Sequence, residues 1–316
     1  MINGAKISSR DLRWLVRSAV PRGSRLLFYY LRRAFTSRGA ERLDNVAEVL
    51  CLLGWRQHEI AAHGDLRILV DIGDHGVGRP LWSGECYEPV ETAFFRSIIR
   101  PADVFVDIGA NIGYYSTLAA KLVGPGGKVI AIEPGPYNFE LLTRNIRRNR
   151  FSNVILQQLA LSDFPGKVEL NLSRVNFGDN RVGTNLSVLG EFESDSVEVR
   201  AERLDDLLTR LNVTRVENIK MDVQGYEAQV QEGMLKTLSR YVSTVATEFW
   251  PAGLISAGGD PHLYLSRFRE LGFRAGLVTS DGVVPVEFDG IFDAIPRANR
   301  ADAEWVNLIL RRARPD

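Results

Sequence analysis

A short glycine-containing turn follows directly on an apolar run near the centre of the chain. The stretch VFVDIGANIGYYSTLAA, residues 104–120, places Gly109, Asn111 and Gly113 between a predicted strand and a predicted helix. Glycine lets the backbone turn sharply and approach a ligand closely, and a helix N-terminus offers unpaired N–H groups. Ligands of open α/β sheets bind at such strand ends. The stretch therefore predicts a ligand site at the carboxyl end of this strand.

The spacing within the turn argues against a phosphate-bearing ligand. A dinucleotide fingerprint G-x-G-x-x-G that started at Gly109 would need glycine where Asn111 and Tyr114 stand, and the sequence contains no Walker loop. A side chain at the second position hinders pyrophosphate, and a large one at the third hinders close helix–strand packing. We therefore expect a nucleoside ligand that lacks phosphates.

A carboxylate follows at the spacing that suits a ribose. Glu133 lies twenty residues after Gly113 and directly follows the apolar run KVIAI, a predicted strand. A carboxylate in that place accepts hydrogen bonds from both ribose hydroxyls. A single glutamate at a strand end can also be a solvated loop charge, but the glycine turn at this distance favours the ribose interpretation.

Apolar segments alternate with amphipathic ones through the rest of the chain. Strands are predicted at 104–108, 128–132, 153–158, 218–223 and 242–249. Helices are predicted at 113–123, 136–149, 225–238 and 261–271, with further helices at 41–56 and from Pro89 onwards. This order predicts an α/β fold with a doubly wound, mostly parallel sheet covered on both faces.

Three further features surround the predicted sheet. Residues 66–87 are expected to form a β-hairpin around a glycine-rich turn, and the insert 164–203 alternates at period two, which indicates added β-structure. Within that insert the polar stretch 176–187 is either a substrate-binding flap or a surface loop. We divide the chain into a helical basic extension (1–60), a main domain (61–296) and a C-terminal tail (297–316).

Composition excludes several classes of protein. The 316 residues are 45% hydrophobic and 25% charged with a formal net charge of zero, which gives no support for nucleic-acid binding. The two cysteines are too few for a disulfide framework and indicate a reducing, cytoplasmic setting. No run approaches the length of a membrane span, and no histidine, cysteine and carboxylate cluster has metal-ligand spacing, so no metal is expected.

The first forty residues differ from this average. Nine basic residues and one acid precede Glu41, interleaved with aromatic and aliphatic side chains such as Trp14, Phe28 and Tyr29. One interpretation is a helix packed on the main domain with a solvated basic face. The other is peripheral contact with an anionic membrane surface through residues 1–40.

Taken together, the motifs resemble the S-adenosylmethionine site of class I methyltransferases, and more narrowly the FkbM family. The resemblance runs from about Gly84 to Asp293. The segments that carry it are GECYEPVET, VFVDIGANIGYYSTLAA, GPGGKVIAIEPGPYNFELLTRNIRRN, NVILQQLALSD, IKMDVQGYEAQVQEG and VATEFWP. It implies a Rossmann-like sheet of seven strands, S-adenosylmethionine as cofactor, and methyl transfer to a hydroxyl of a small molecule, glycan or glycolipid.

The resemblance also implies roles for individual positions. The methionine part and the sugar edge of the cofactor would be surrounded by Asp107, Gly109, Asn111 and Gly113. The ribose would be held by Glu133, with Pro134 and Asn138 nearby. The adenine would be flanked by Ala160 and Leu161. Glu88, together with Tyr87, would close over the cofactor, although hairpin packing explains that pair equally well.

The catalytic candidates lie at the ends of two later strands. Asp222 in IKMDVQGYE shares a strand face with Lys220 and falls at the mouth of the sheet, where it could also contact the cofactor. Glu248 in VATEFWP ends the next strand and could bind or deprotonate a substrate, or form an ion pair with an arginine. His262 is the remaining acid–base candidate.

One position departs from the family pattern. FkbM-like sequences usually show D-V-E-G where this chain has Gln224. An amide cannot act as a base, so either Asp222 suffices or activity has been lost. Two alternatives to a methyltransferase therefore remain open at this point: a catalytically inactive protein that keeps the fold and binds a ligand, and a nucleotide-dependent oxidoreductase on a similar sheet.

Overall fold

The fold is described from a computed structural model of the protein. The structure describes residue 33 and residues 39–183, 194–295 and 305–312. The basic segment 1–40, for which we predicted either packing or membrane contact, lies almost entirely outside the described residues. Within the described ranges, no helix combines the length and apolar character needed to cross a bilayer.

Helices and strands are numbered here in chain order. The helices are α1 (Gly39–Leu52), α2 (Gly78–Ser83), α3 (Pro89–Ile98), α4 (Tyr114–Val123), α5 (Pro136–Arg148), α6 (Leu204–Arg210), α7 (Glu227–Glu232), α8 (Leu235–Arg240), α9 (Pro251–Ser256), α10 (Pro261–Glu270) and α11 (Ile291–Ala294). The strands are β1 (Gln57–Ala62), β2 (Leu66–Asp71), β3 (Val104–Ile108), β4 (Lys128–Ile132), β5 (Val154–Gln157), β6 (Ala160–Leu161), β7 (Gly166–Ser173), β8 (Arg181–Val182), β9 (Ser194–Glu202), β10 (Asn218–Met221), β11 (Thr244–Phe249), β12 (Arg274–Thr279), β13 (Gly282–Val286) and β14 (Val306–Arg311).

The main sheet has eight strands in the order β13-β12-β14-β11-β10-β3-β4-β5. Neighbours from β5 to β11 pair in parallel, whereas β14 runs antiparallel to both β11 and β12. From β3 the chain winds outward through β4 to β5 and then returns to β10 on the other side. The strand order therefore reverses between β3 and β10, which is where open α/β sheets bind their ligands.

Both faces of this sheet are buried, as a parallel sheet requires. On β3, Val106 and Ile108 pack into the core beneath α7, α8 and α10, while Phe105 packs on the opposite face with Phe95 of α3 and Leu118 of α4. Alternate residues of one strand thus stabilise two helical layers, and the strand end is held firmly between them.

The doubly wound α/β fold is confirmed, with two adjustments. The sheet has eight strands instead of seven, because β13 adds a hairpin partner to the edge strand β12. The helix predicted over 225–238 is two helices, since the chain leaves helical conformation at Met234 (φ −129°, ψ 18°). A side chain at the preceding Gly233 would place its Cβ 2.0 Å from the carbonyl oxygen of Ser162.

The hairpin predicted within 66–87 was wrong in its pairing. Its first half is β2, but β2 pairs antiparallel with the upstream strand β1, with Gln57 opposite Asp71. The stretch RPLWS, predicted to be the second strand, lies in helix α2, which ends at Gly84 in the left-handed region (φ 88°). The polar sequence of β1, half exposed along its length, hid the true partner.

The insert forms β-structure, as predicted. Strands β6, β7, β8 and β9 make a separate four-stranded sheet in the order β6-β9-β7-β8, and β7 and β9 pair over eight residues each. The predicted tail 297–316 contains β14, which pairs between β11 and β12 in the main sheet. The sheet therefore continues past residue 296, while the domain boundaries themselves stay a prediction.

Two asparagines, one within α5 and one that caps its C-terminus, connect β2 to the main domain by hydrogen bonds. The side chain of Asn145 is fully buried; its Oδ1 accepts from Leu69 N (2.6 Å), and its Nδ2 donates to Leu69 O (3.1 Å) and Ile112 O (2.8 Å). One turn later, Asn149 makes the same pair of bonds to Arg67 near the surface. Asn145 therefore links β2, α5 and the glycine turn after β3.

We predict that Asn145→Ala lowers the free energy of unfolding by about 2–4 kcal/mol, because it leaves buried backbone groups without partners. Asn149→Ala is the matched control and should cost less than about 1 kcal/mol, since water replaces its bonds. Urea unfolding followed by circular dichroism measures both. Equal losses for the two variants would contradict the role assigned to Asn145.

Candidate active site

A cavity of about 440 Å³ opens at the carboxyl ends of β3, β4, β10 and β11, beside the reversal in strand order. Its volume is in the range of small-molecule sites. Most of the sequence-predicted residues line it: Glu88, Asp107, Gly109, Asn111, Glu133, Pro134, Asn138, Ala160, Leu161, Asp222 and Glu248. These residues come from six separate chain segments, which meet here.

The turn after β3 needs glycine at two positions. Gly109 has φ +76°, and a Cβ there would lie 1.9 Å from the carbonyl oxygen of Asp222 on the neighbouring strand. Gly113, which begins α4, has φ +87°, and a Cβ would lie 2.6 Å from Leu142 Cδ1. Gly113 supports the turn from behind and does not line the cavity.

Asp107 is the second-last residue of β3, and its side chain is buried. Its Oδ2 accepts a hydrogen bond from Ser116 Oγ of α4 at 2.5 Å. Burial raises the pKa of Asp107 to about 6, although Lys220, its neighbour in the β3–β10 register, works in the opposite direction. A cation placed against Asp107 would restore its charge.

The Glu133 side chain links the turn after β3 to the turn after β4. Its Oε2 accepts from Asn111 N at 2.9 Å and its Oε1 accepts from Gly135 N at 2.8 Å. Burial nevertheless raises the pKa of Glu133 to about 7, with further upward contributions from Asp107 and Asp222. The carboxylate keeps free lone pairs that face the cavity, so it can also accept hydroxyl donors.

Two oxygen atoms on the cavity wall have no hydrogen-bond partner among the described residues. They are Oδ1 of Asn111 and Oε2 of Glu88, and both are buried. Asn111 and Glu88 also have left-handed backbone conformations (φ 49° and 41°), which are uncommon for residues other than glycine. Unpaired acceptors on strained residues indicate that a donor group belongs in the cavity.

Asp222 is held from both sides. Its Oδ2 lies 3.0 Å from Lys220 Nζ, and its Oδ1 accepts from Gln224 Nε2 at 2.7 Å. The Lys220 ammonium also lies 4.0 Å from Glu88 Oε2 and 4.9 Å from the centroid of the Tyr115 ring. Both carboxylate oxygens of Asp222 therefore already accept a hydrogen bond, which fixes the orientation of this side chain.

Glu248 is placed differently. It lines the same cavity from the end of β11, and burial raises the pKa of its carboxyl well above the ordinary value. The neighbouring carboxylates Asp222 and Glu227 raise it further. Among the described residues no arginine pairs with Glu248. A carboxylate of raised pKa at the mouth of the sheet binds a proton more strongly than an ordinary glutamate does, which suits a general base.

The insert covers one side of the cavity. Asn138, predicted to lie near the ribose, donates from Nδ2 to Phe177 O at 2.7 Å and so anchors the segment 176–182, which we call the flap. On the flap, Arg181 forms an ion pair with Asp179 (2.6 Å) and lies 4.8 Å from the ring centroid of Trp250. The polar sequence of this segment was consistent with a substrate-binding flap or a surface loop, and it did not indicate this ion pair.

The adenine end of the predicted site is apolar. Ala160 and Leu161 are buried, and Ser162, the next residue, shares a hydrogen bond of 3.0 Å with the hydroxyl of Tyr226. Tyr226 also lines the cavity. The sequence did not reveal this tyrosine, because it comes from the turn after β10 and reaches the site only through the fold.

His262 is not part of this arrangement. It is exposed at the start of α10, where its backbone N–H donates to the capping carboxylate of Asp260 (2.8 Å) and its ring stacks on Phe292 at 4.4 Å. The residue does not line the cavity. We therefore assign His262 no acid–base role, and the sequence-based expectation for it is corrected.

Comparison with known proteins agrees with the geometry. Residues 107–275 match the methyltransferase FkbM domain family, which is more than half of the chain. The chain belongs to this family. The match begins at Asp107 and includes Glu133, Asp222 and Glu248, whereas the cavity residue Glu88 lies before it.

Three curated relatives are similar to this family member. Methyltransferase sdnD of Sordaria araneosa is 30% identical over 49% of this chain and 70% of its own length. The hexuronic acid methyltransferase AglP of Haloferax volcanii is 29% identical, and the 31-O-demethyl-FK506 methyltransferase FkbM of Streptomyces tacrolimicus is 28% identical. These two matches cover 50% and 43% of this chain, and 58% and 61% of the relatives.

Comparison with solved structures gave a partial alignment. The methyltransferase FkbM from Methylobacillus flagellatus aligns over 70% of this chain and 50% of its own, with 14% sequence identity and a TM-score of 0.40.

The raised pKa of Asp107 generates a prediction for stability. Its protonated form contributes stability that is fully present below the ordinary value of 3.8 and is lost as the pH rises through about 6. In Asp107→Asn the Ser116 hydroxyl can still form a hydrogen bond with the side chain. Because an amide does not titrate, the variant should not show this pH-dependent loss of stability. We expect the wild-type protein without ligand to lose up to about 3 kcal/mol relative to the variant over this interval.

Urea unfolding at a series of pH values measures this difference. Asp281→Asn, which removes an exposed carboxylate in the turn between β12 and β13, is the control and should show no such divergence. A difference between wild type and Asp107→Asn that does not change with pH would contradict the assignment.

Proposed function

We propose that this protein is an S-adenosylmethionine-dependent O-methyltransferase that acts on a hydroxyl of a small molecule, glycan or glycolipid. The observation that carries the proposal is the acidic cavity at the glycine turn, which Glu133 lines after β4 and Glu248 lines from β11. Membership of the FkbM family supports methyl transfer over the oxidoreductase alternative.

The residues present fit this cofactor by charge. Six carboxylate side chains line the cavity, and the basic side chains among its described lining residues are Lys220 and Arg181. Such a cavity repels phosphates and favours a ligand with positive charge. S-adenosylmethionine carries an ammonium and a sulfonium and no phosphate. The unpaired oxygens of Asn111 and Glu88 would accept hydrogen bonds from its ammonium and hydroxyl donors.

Individual residues would hold distinct parts of the cofactor. Asp107 and Glu88 would face the ammonium, and the carboxylate of Glu133 would accept the ribose hydroxyls. The adenine would lie against the apolar end formed by Ala160 and Leu161. When bound, the cofactor supplies an electrophilic methyl group on its sulfonium; the protein aligns the acceptor and excludes water.

We assign proton acceptance to Glu248. A hydroxyl is a weak nucleophile and gains from a base within hydrogen-bond reach. Asp222, held between Lys220 and Gln224, would orient the acceptor. In this arrangement Gln224 serves as a donor to Asp222, so its amide is compatible with activity. Gln224 therefore no longer argues for the alternative of a catalytically inactive ligand-binding protein, which only an assay without turnover would support.

The class of acceptor is inferred from the relatives. One is named a hexuronic acid methyltransferase and another a 31-O-demethyl-FK506 methyltransferase, and the second name specifies an oxygen as the acceptor atom. We include hexuronic acids, their glycosides and 31-O-demethyl-FK506 in the acceptor panel, with S-adenosylhomocysteine formation as the readout.

We predict that Glu133→Ala weakens S-adenosylmethionine binding by about 1.5–3 kcal/mol, the range for hydrogen bonds to a charged group. Isothermal titration calorimetry measures the change. Glu140→Ala, which removes an exposed carboxylate of α5, is the matched control and should leave the affinity unchanged. Equal affinity of Glu133→Ala and wild type would remove the ribose assignment.

We predict that Glu248→Gln lowers kcat by about 10²–10⁴-fold while cofactor affinity stays within about threefold, because the base is lost and the binding residues remain. Since the pKa of Glu248 is raised, the wild-type rate should increase with pH through a value above that of an ordinary glutamate, and the variant should lack this dependence.

His262→Asn is the comparison variant and should keep full activity, since its ring lies outside the cavity. If His262→Asn lost activity and Glu248→Gln kept it, the assignment of the base would be reversed. If no acceptor in the panel were methylated by a wild-type protein that binds the cofactor, the non-catalytic alternative would replace the proposal.

A further inference from the structure

A second cleft lies beside the cofactor cavity. It has a volume of about 830 Å³ and is bounded by residues 54–58 after α1, the start of α5, and the end of β7 with the flap. Asn138, Phe177 and Asn180 line both spaces and form the wall between them. Nothing in the proposed methyl transfer uses this cleft, so its side chains call for a separate explanation.

Aromatic rings are exposed along the cleft. Trp55 is 46% exposed and Tyr137 is 38% exposed, although large aromatic side chains are usually covered. Tyr137 meets Phe177 edge to face, with ring centroids 5.5 Å apart, and the guanidinium of Arg56 lies 5.7 Å from the centroid of the Phe177 ring. The backbone N–H of Trp55 donates to Leu50 O at 2.9 Å, which fixes the position of the tryptophan.

Polar side chains between these rings are held in place by one buried carboxylate. Asp71 accepts from Arg56 Nε at 3.1 Å, from Gly73 N at 2.7 Å and from the hydroxyl of Tyr137. Its side chain is 1% exposed, so the charge is fully compensated within the protein. Arg56 and Tyr137 therefore share a single anchor and cannot reorient independently.

An amide extends this network to the rim. Gln57 Nε2 donates to the hydroxyl oxygen of Tyr137 at 3.1 Å, and Gln57 Oε1 accepts from Arg144 Nη1 at 2.8 Å. Surface side chains normally keep their rotamer freedom, which costs about 1–2 kcal/mol each to remove. A rigid set of phenol, guanidinium and amide groups beside exposed rings is pre-organised for a ligand.

The chemistry of this set selects one class of ligand. Flat rings suit the C–H face of a pyranose, and planar groups that present several N–H and O–H positions suit its hydroxyls. A phosphate would need cations without partners, but Arg56 is paired with Asp71 and Arg144 lies 3.6 Å from the carboxylate of Glu140. An apolar peptide or acyl chain would leave the polar groups of the cleft unpaired.

We propose that this cleft binds a pyranose unit of a saccharide, separate from the group that is methylated. Binding there does not depend on methyl transfer. If the acceptor is a glycan, the cleft holds a sugar at a distance from the reacting hydroxyl, with the flap between the two units.

Calorimetry and saturation-transfer NMR on the full chain test the proposal, with cellotetraose and chitotetraose as probes. We expect saturable binding of at least one probe, and a loss of about tenfold or more in affinity for Trp55→Ala and for Tyr137→Ala, in line with loss of a binding aromatic residue. Tyr241→Ala is the matched control, since Tyr241 is 37% exposed and lies outside the cleft. It should bind as wild type does.

Affinity for S-adenosylmethionine is measured on the same samples and should be unchanged in Trp55→Ala, because Trp55 does not line the cofactor cavity. A wild-type protein that binds neither saccharide overturns the proposal, as does binding that both aromatic variants retain. Should Trp55→Ala lower the melting temperature without saccharide binding by wild type, the cleft is a packing surface for another part of the chain. If the wild-type protein bound a saccharide but not S-adenosylmethionine, the methyltransferase proposal would be contradicted and the saccharide proposal would stand.

Discussion

Buried carboxylates that face one cavity set the character of this protein. Asp107, Glu133 and Glu248 all have raised pKa values because burial penalises their charge, and the nearby carboxylate of Asp222 raises each pKa further. Lys220 offsets part of this repulsion from the centre of the group. A ligand that brings positive charge and hydroxyl donors would relieve the rest, so binding and protonation are coupled at this site.

The fold brings these groups together through one close backbone contact. Gly109 of the turn after β3 packs on the carbonyl of Asp222 after β10, so these two turns are in direct contact. Glu133 then links the same turn to the end of β4 through Asn111 N. A displacement of any of these strand ends would therefore move Asn111, Glu133 and Asp222 together.

Sequence alone predicted the parts whose signals are local. The glycine turn, the position of Glu133 at a strand end and the parallel strands were predicted correctly, because each has a sequence pattern that spans only a few residues. Strand pairing has a weaker sequence signal. The sequence did not predict that β2 pairs with the polar strand β1, or that β14, from the predicted tail, lies between β11 and β12. Contacts made only in three dimensions, such as Arg181 with Asp179 or Tyr226 with Ser162, had no local signal.

Proton release on cofactor binding tests the central claim most directly. At about pH 6 the amino group of S-adenosylmethionine is already charged, so any exchanged proton comes from the protein. Calorimetric titrations in buffers of different ionisation enthalpy count these protons. We expect net release near pH 6 that declines towards about pH 8, because the ligand lowers the raised pKa values of Asp107 and Glu133. Proton uptake, or binding without proton exchange at about pH 6, would contradict an acidic site built for a cationic nucleoside.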